Sequence, residues 1–216
     1  MKTYLQLVNN ILIRLREREV ASIAENSYSK LIGIFVHDAI ESIETAWQWS
    51  NLRDTITVTT SADVSTYVLT DTGDKSSVLD VINDTSNFFM AYQTAHWFDG
   101  MNLNSTPASS SPQYYAYDGL DTNGDTQVRL YPIPDGVYSL QFKVVKRSPD
   151  ILLDTDTVNV PFLPVQALAY AMALEERGED GGVSPISAKA LAHGYLSDAI
   201  SLDANKHPEE LIWEAP

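Results

Sequence analysis

The stretch ALAYAMALEERGEDGG, residues 167–182, starts as an almost uncharged run of small residues and ends in acids and glycines. Its apolar residues recur at helical spacing, which predicts a helix from about Pro164 to Glu176. Gly178 can take the left-handed backbone conformation that ends a helix. Ser184 and Pro185 then fit the N-cap and the first position of another helix. This pair of helices decides the fold prediction.

The two predicted C-terminal helices carry small side chains on their faces. Alanine keeps a helix thin, so a partner helix can approach it closely. The last helix also contains Gly194, and a glycine inside a helix costs about 1 kcal/mol relative to alanine. Close packing between helices is the expected compensation. The short connection ERGEDGG makes the two helices antiparallel neighbours.

Two further helices are predicted near the N-terminus. TYLQLVNNILIRLRE has apolar residues at helical spacing, and Thr3 with Gln6 fits a capping box. ENSYSKLIGIFVHDAIESIETAWQWSNL predicts a longer helix whose apolar face includes Trp47. Trp49 is two residues away and would face another side of that helix, where it belongs to the core or contacts the β-rich segment or a partner.

Between Asp54 and about Thr157 the pattern changes from helical to strand-like. TITVTT, TYVLT, QVRLYPI and YSLQFKVVKR are rich in β-branched and aromatic residues, with turn motifs between them. Asn123 and Gly124 predict a type I′ hairpin turn, in which both residues have positive φ. The expected fold is therefore α+β. A helical bundle is formed by residues 1–53 and 158–207, a mostly antiparallel β domain is inserted at 54–157, and residues 208–216 form a tail.

The composition limits the classes of function. The chain of 216 residues has no cysteine, which excludes disulfides, thiolate nucleophiles and thiolate metal sites. No apolar run approaches the roughly 18 residues that span a bilayer, and the N-terminus has no signal-peptide core. The net charge of −15 opposes tight binding to DNA or RNA. Such a surface favours solubility, or lets DNA pass without adhering.

No catalytic residue, metal site or cofactor is predicted. The histidines show no ligand pattern and are expected in structural or surface positions; they are His37, His96, His193 and His207. DTNGDTQ places Asp121, Asn123 and Asp125 at alternate positions, as a calcium loop would. However, Thr126 and Pro132 stand where an EF-hand needs Gly and Glu. A hairpin turn is therefore favoured, and DTDTV at 154–158 is interpreted as a solvated linker.

The last ten residues, HPEELIWEAP, contain the candidate partner-binding site. Leu211, Ile212 and Trp213 form an apolar triplet beyond Pro208, which ends the helical pattern. Terminal segments are usually disordered unless something holds them. The triplet therefore predicts docking, either on the helices of the same chain or on a partner, and the residues themselves favour neither.

Several segments, taken in their order along the chain, resemble the head-to-tail adaptor proteins of tailed bacteriophages, particularly the tail tubular or head-completion proteins of short-tailed phages. These segments are YLQLVNNILIRLRE, FVHDAIESIETAWQWSNLR, LYPIPDGVYSLQFKVVKR, VPFLPVQALAYAMALEERGEDGG and LSDAISLDA. The resemblance implies a non-enzymatic ring, typically of twelve subunits, that connects the portal to the tail and lines the DNA channel.

The same resemblance implies partners and a location. The partners would be other copies of the chain, the portal protein and a tail nozzle or tail tube protein, with genome DNA passing through and no membrane involved. The protein would lie in the virion neck, and in the host cytoplasm during assembly. Related adaptors hold the portal with a C-terminal segment, which corresponds here to Leu211, Ile212 and Trp213.

Two other functions fit parts of the sequence. Tyr114, Tyr115 and Tyr117 in SPQYYAYDG fit a non-enzymatic virion module that binds a protein or a sugar, although strand alternation explains them equally well. The acids would also supply the carboxylates of a glycosidase, but such pairs are plentiful in any acidic chain. The size of the assembly separates a connector from a binding module. A pocket with two facing carboxylates of perturbed pKa would favour the enzyme.

Overall fold

The computed structural model describes residues 2–73, 75–104, 108–178 and 184–206. Its helices are α1 (Tyr4–Arg14), α2 (Ser27–Ala46), α3 (Ala95–Asn104), α4 (Phe162–Arg177) and α5 (Pro185–Ala204). Its strands are β1 (Arg53–Thr59), β2 (Thr66–Leu69), β3 (Ser77–Asn83), β4 (Phe88–Phe89), β5 (Ala91–Tyr92), β6 (Tyr114–Leu120), β7 (Thr126–Tyr131) and β8 (Ser139–Val145). Helices from both ends of the chain flank a β region, which confirms the predicted α+β class.

Contacts divide the chain into two compact units. The helical unit comprises the described residues of Met1–Asn51 and Ser148–Pro216, and the β unit comprises those of Leu52–Arg147. The domain boundaries expected from the sequence, at 53/54 and 157/158, stay predictions.

Side-chain caps start the two N-terminal helices. The Thr3 hydroxyl accepts the N–H of Gln6 at 3.3 Å, and the Gln6 side chain accepts the N–H of Thr3 at 3.1 Å. Asn26 and Ser29 make the same reciprocal pair at the start of α2, at 2.7 and 3.2 Å. These bonds satisfy N–H groups that have no partner inside the helix. The capping box predicted at Thr3 is confirmed.

The alanine-rich helix α4 lies at the centre of the helical unit. It packs against α1, α2 and α5. Its buried side chains are mostly small, and they include Ala167, Ala169, Ala171 and Ala173. Gly178 ends the helix with φ 62°, the left-handed conformation expected of it. The small side chains of α4 therefore let α1, α2 and α5 all pack closely against it.

No described residue makes the close contact expected at Gly194. A Cβ atom placed there would meet no other atom within 4 Å among the described residues. The buried residues of α5 are Ala188, Ala192 and Asp203. The close approach occurs instead at Gly33 of α2, where a Cβ would lie 2.7 Å from the Tyr4 hydroxyl oxygen. The expectation failed because Gly194 is on the outer side of α5, away from α4.

The β unit consists of two four-stranded sheets. Their strand orders are β1-β8-β3-β4 and β2-β7-β6-β5. The pairings are antiparallel except that between β5 and β6, which is parallel. Inward-facing residues of both sheets share one hydrophobic core, whose buried members are Val58, Leu69, Val81, Met90, Tyr115, Val128, Leu130, Leu140, Phe142 and Val144.

The hairpin between β6 and β7 is confirmed, but its turn differs from the prediction. Of residues 121–125, only Gly124 has a positive φ, at 87°. The Asp121 carboxylate accepts the N–H groups of Asn123 and Asp125, both at 2.8 Å. Asp125 in turn accepts the N–H groups of Thr72 and Gly73, both at 3.0 Å. Aspartate side chains shape a longer loop here, so a two-residue type I′ turn does not form.

Candidate functional site

The predicted site at Leu211, Ile212 and Trp213 lies outside the described residues. The described part of the chain ends just before this site: α5 ends at Ala204, and Lys206 is the last described residue. The surroundings of the last turn of α5 therefore define the point from which this segment departs.

Asp203 fixes the end of α5 to the segment that follows α2. One carboxylate oxygen accepts the Ser50 N–H at 2.9 Å and the indole N–H of Trp47 at 3.2 Å. The other accepts the Ser50 hydroxyl at 2.5 Å and the Lys206 ammonium at 3.0 Å. Asp203 is only 5% exposed. Four donors thus replace the water that the buried carboxylate gives up.

The surroundings of Asp203 favour its charged form. Burial alone would raise the pKa of its carboxyl group. The hydrogen bonds from the Ser50 hydroxyl, the Ser50 N–H and Lys206, together with the positive charge of Lys206, outweigh burial and lower the pKa to about 2. The contact is therefore ionic at neutral pH, and protonation of Asp203 would weaken it.

The structure places Trp49 in the core, one of the roles expected of it, and leaves Trp47 partly exposed. Trp49 is 1% exposed and donates its indole N–H to the Ile43 carbonyl at 2.7 Å, whereas Trp47 is 38% exposed. The prediction that Trp47 belongs to the core face of the helix was wrong. The helix stops at Ala46, and Trp47 has extended backbone angles of φ −155° and ψ 155°. Helical periodicity therefore cannot be applied to these two positions.

A tight turn presents two leucines to solvent. Leu152 is 80% exposed and Leu153 is 64% exposed. One oxygen of the Asp156 carboxylate accepts the N–H groups of both leucines, at 2.9 and 2.8 Å, and the Asp156 N–H donates to the Leu153 carbonyl at 3.0 Å. Two adjacent leucines held outward by a fixed backbone form a candidate contact surface.

This turn, residues 151–157, is attached to the N-terminal helices. The imidazole of His37 hydrogen-bonds the Ile151 carbonyl at 2.8 Å, and its ring lies edge-on to Tyr4. The Asp154 carboxylate accepts the Ile23 N–H at 3.3 Å, and its carbonyl accepts the N–H of Leu5 at 3.1 Å. His37 therefore has the structural role expected of it.

The sequence pattern did not identify the two leucines because it placed them at the end of the β-rich segment 54–157. The sequence signal that indicates this turn is the apolar run Ile151–Leu153 followed by Asp156. An aspartate at this distance can accept N–H groups of preceding residues and close a turn. The exposure of the leucines depends on that hydrogen bonding, which spacing alone does not reveal.

The three tyrosines of the binding-module alternative have different surroundings. Tyr115 is buried in the β-unit core, edge-on to Phe142. Tyr114 packs against Trp97, with ring centroids 5.0 Å apart. Tyr117 is exposed, and its ring lies 5.8 Å from that of Tyr92. Strand alternation thus accounts for Tyr115, while Tyr92 and Tyr117 form a small exposed aromatic pair.

A shallow depression lies beside these aromatic residues. Its volume is about 350 Å³, and its lining residues are Phe88, Phe89, Ala91, Gln113 and Tyr114. Sugar and small-molecule sites combine such apolar surface with several convergent polar groups. Gln113 supplies the one polar amide in this lining.

Several acidic residues of the described chain are local structural partners. No group of three or more His, Asp or Glu residues in the described ranges could hold a metal ion. Asp121 and Asp125, the calcium-loop candidates, accept backbone N–H groups. Among the helices of the described ranges, none has the length and apolar character needed to cross a membrane.

The family comparison covers nearly the whole chain. A family model described as "SU10 adaptor protein" matches residues 2–206. A search of curated proteins found no match. The matched range contains the complete β unit and all the described residues of the helical unit.

Proposed function

Because this chain belongs to the SU10 adaptor protein family, we propose that it forms a ring in the phage neck that connects the portal to the tail. Family membership makes the chain a structural adaptor protein of a phage. The observation that carries the finer proposal is the match over residues 2–206, which includes both units. The resemblance to head-to-tail adaptors of short-tailed phages supports the same arrangement, with twelve subunits as the proposed number.

The proposed ring lines a channel through which the genome passes. The net charge of −15 supports this role, because phosphates find few cationic partners on such a surface. The basic segment 14–18 is interrupted by Glu17, whose carboxylate pairs with Arg177 at 2.9 Å. Arg14 lies over the ring of Tyr170. The net charge and the Glu17–Arg177 pair favour DNA passing without tight binding.

The proposed portal contact is the C-terminal segment with Leu211, Ile212 and Trp213. It is supported by the apolar triplet and by the anchored end of α5, where Asp203 is bonded to Ser50. A tail that leaves from a fixed point loses less freedom when it docks than one that leaves from a mobile point. The tail nozzle or tail tube protein is proposed as the partner on the opposite side of the ring.

Assembly size tests the proposed function. Native mass spectrometry of the purified protein, alone and mixed with the portal protein of the same phage, should show a discrete closed oligomer in at least one of the two samples. Electron microscopy of the mixture should show a ring on the portal. A protein that stays monomeric in both samples and does not bind the portal would contradict the proposal.

The alternative is a non-enzymatic binding module of the virion. The exposed pair Tyr92 and Tyr117 and the aromatic depression at Phe88 and Phe89 favour it. A monomer that binds a sugar or protein through these residues, and that loses binding when Tyr92 and Tyr117 are changed to Ala, would support this alternative against the connector.

A further inference from the structure

We infer that Asn123 is a site of spontaneous covalent modification, at which the backbone nitrogen of Gly124 attacks the side-chain amide, and that Asp121 restrains this reaction in the folded chain. The site is the loop between β6 and β7, which contains the one Asn-Gly pair of the sequence. The reaction takes place within a single chain and does not depend on the proposed ring.

The modification converts the amide into an acid and consumes only water. The Gly124 nitrogen gives up its proton to base in the solvent and forms a bond to Cγ of Asn123. The bond from Cγ to Nδ2 breaks, and Nδ2 takes a proton from water and leaves as ammonia. Water then opens the resulting cyclic imide at one of its two carbonyl carbons, which yields aspartate or isoaspartate. The reaction needs no electron donor or acceptor.

Two features of the pair fit this reaction. Asn123 is exposed, so base and water reach its side chain. Gly124 has no side chain that would shield its nitrogen from the carbon it attacks. A Cβ atom placed on Gly124 would meet none of the described atoms beyond its chain neighbours within 4 Å, so the surroundings of the loop are also open. Both reacting groups are therefore accessible whenever the loop lets them meet.

Asp121 holds both reacting groups in the folded loop. One oxygen of its carboxylate accepts a hydrogen bond from Asn123 Nδ2 at 3.2 Å, and its backbone carbonyl accepts the Gly124 N–H at 3.2 Å. A hydrogen-bonded N–H loses its proton less readily, and a bonded amide turns less freely towards the attacking nitrogen. The rate of modification therefore follows the population of the opened loop.

The modification should loosen the loop once it has occurred. An aspartate at position 123 lacks the Nδ2 donor and brings a second negative charge next to Asp121. An isoaspartate in addition lengthens the backbone by a methylene group just before Asp125. The Asp125 carboxylate accepts the N–H groups of Thr72 and Gly73, so its displacement would weaken the link between this loop and the segment that follows β2.

Peptide mapping by mass spectrometry tests the site. The full-length protein is incubated in mildly alkaline buffer, both folded and in guanidinium chloride, and the peptide that contains Asn123 is followed. We expect this peptide to gain the mass difference between an amide and an acid, as a mixture of aspartate and isoaspartate, and to do so faster in the denatured chain. The control is Asn123→Gln, whose longer side chain would have to close a larger ring and should stay unchanged.

Three results would overturn the inference. An unchanged peptide in the denatured chain would show that the pair does not react. Aspartate without isoaspartate would indicate direct hydrolysis by water instead of attack by the Gly124 nitrogen. Equal rates in the folded and the denatured chain would show that the folded loop does not restrain the reaction.

The variant Asp121→Asn tests the restraint itself. Its side chain keeps an oxygen for the N–H groups of Asn123 and Asp125, but places an NH₂ group where the oxygen that accepts from Asn123 Nδ2 lies. We expect the folded variant to react about two- to tenfold faster than wild type, the factor that corresponds to one hydrogen bond, and the denatured chains to react equally. Thr122→Ala, an exposed change in the same loop, is the control and should react like wild type. A folded variant that reacts at the wild-type rate, or a difference that persists in guanidinium chloride, would contradict the role of Asp121.

Discussion

The Ser50 hydroxyl and the Asp203 carboxylate lie 2.5 Å apart although 153 positions separate the two residues in sequence. Trp47 and Lys206 bond the same carboxylate. Together with the alanine packing between α4 and α5, this polar contact holds α5 in the helical unit. It also fixes the point from which the C-terminal tail departs.

Removing the charge of Asp203 should destabilise the protein. Asp203→Asn leaves buried donors without an anionic acceptor, so we expect a loss of about 1–3 kcal/mol in the free energy of unfolding. For a chain of this size, the melting temperature measured by circular dichroism should fall by roughly 3–10 °C. Asp198→Asn, an exposed change on the same helix, is the control and should melt like wild type.

The contribution of Asp203 should depend on pH in a defined direction. Its folded-state pKa, about 2, is below the ordinary value of 3.8. The stabilisation is therefore complete above about pH 5 and is lost as the pH falls through 4 towards 2. Its full size is up to about 2 kcal/mol.

This pH dependence can be measured as the difference in unfolding free energy between wild type and Asp203→Asn. The difference should be constant near neutral pH and shrink steadily below about pH 4. A difference that grows on acidification, or that does not change at all, would show that Asp203 is not held in its charged form.

Two helix glycines should respond oppositely to the same substitution. Gly33→Ala places a Cβ 2.7 Å from the Tyr4 hydroxyl and 3.1 Å from Ile23 Cγ2, and should cost about 1–3 kcal/mol. Gly194→Ala meets open space and should stabilise the dilute protein by up to about 1 kcal/mol. Chemical denaturation of both variants measures the two effects, and equal effects would contradict the packing described at Gly33.

The C-terminal segment should matter for portal binding and not for stability. A chain ending at His207, and the full chain with Trp213→Ala, should keep the wild-type melting temperature but fail to co-sediment with portal rings. Truncating a buried interface tryptophan costs about 2 kcal/mol or more per site, and a ring multiplies the loss through avidity. A loss of several degrees in either variant would instead indicate that the segment folds on its own helices.

Duplex DNA should bind the isolated protein weakly. Fifteen uncompensated negative charges oppose counterion release, so we expect a Kd weaker than about 1 µM at physiological salt in an anisotropy titration. Sub-micromolar, strongly salt-dependent binding would reveal a concentrated basic face, and Arg14, Arg16 and Arg18 would be the first residues to replace.

Local chemistry made the helix starts and the fold class predictable. Thr3 and Gln6 cap α1 because both partners lie within one turn, and Gly178 ends α4 because few other residues adopt a positive φ. The change from helical to alternating periodicity locates the β region. Such features depend on residues that are close in sequence.

Features that depend on distant partners could not be predicted. Trp47 was assigned to the wrong environment because the end of α2 at Ala46 carries no cap residue that the sequence reveals. Nothing in the sequence pairs Ser50 with Asp203. The exposed pair Leu152 and Leu153 was missed because its exposure follows from hydrogen bonds to Asp156.

The β unit is closed at its neck. Arg53 pairs with Val145, and the Lys146 N–H donates to the Leu52 carbonyl at 3.0 Å, so the chain enters and leaves the unit through adjacent residues. The helical sequence before and after this neck is therefore joined by the equivalent of a single short loop. The pairing at this neck fixes the distance between the two ends of the β unit, whatever the length of the chain between them.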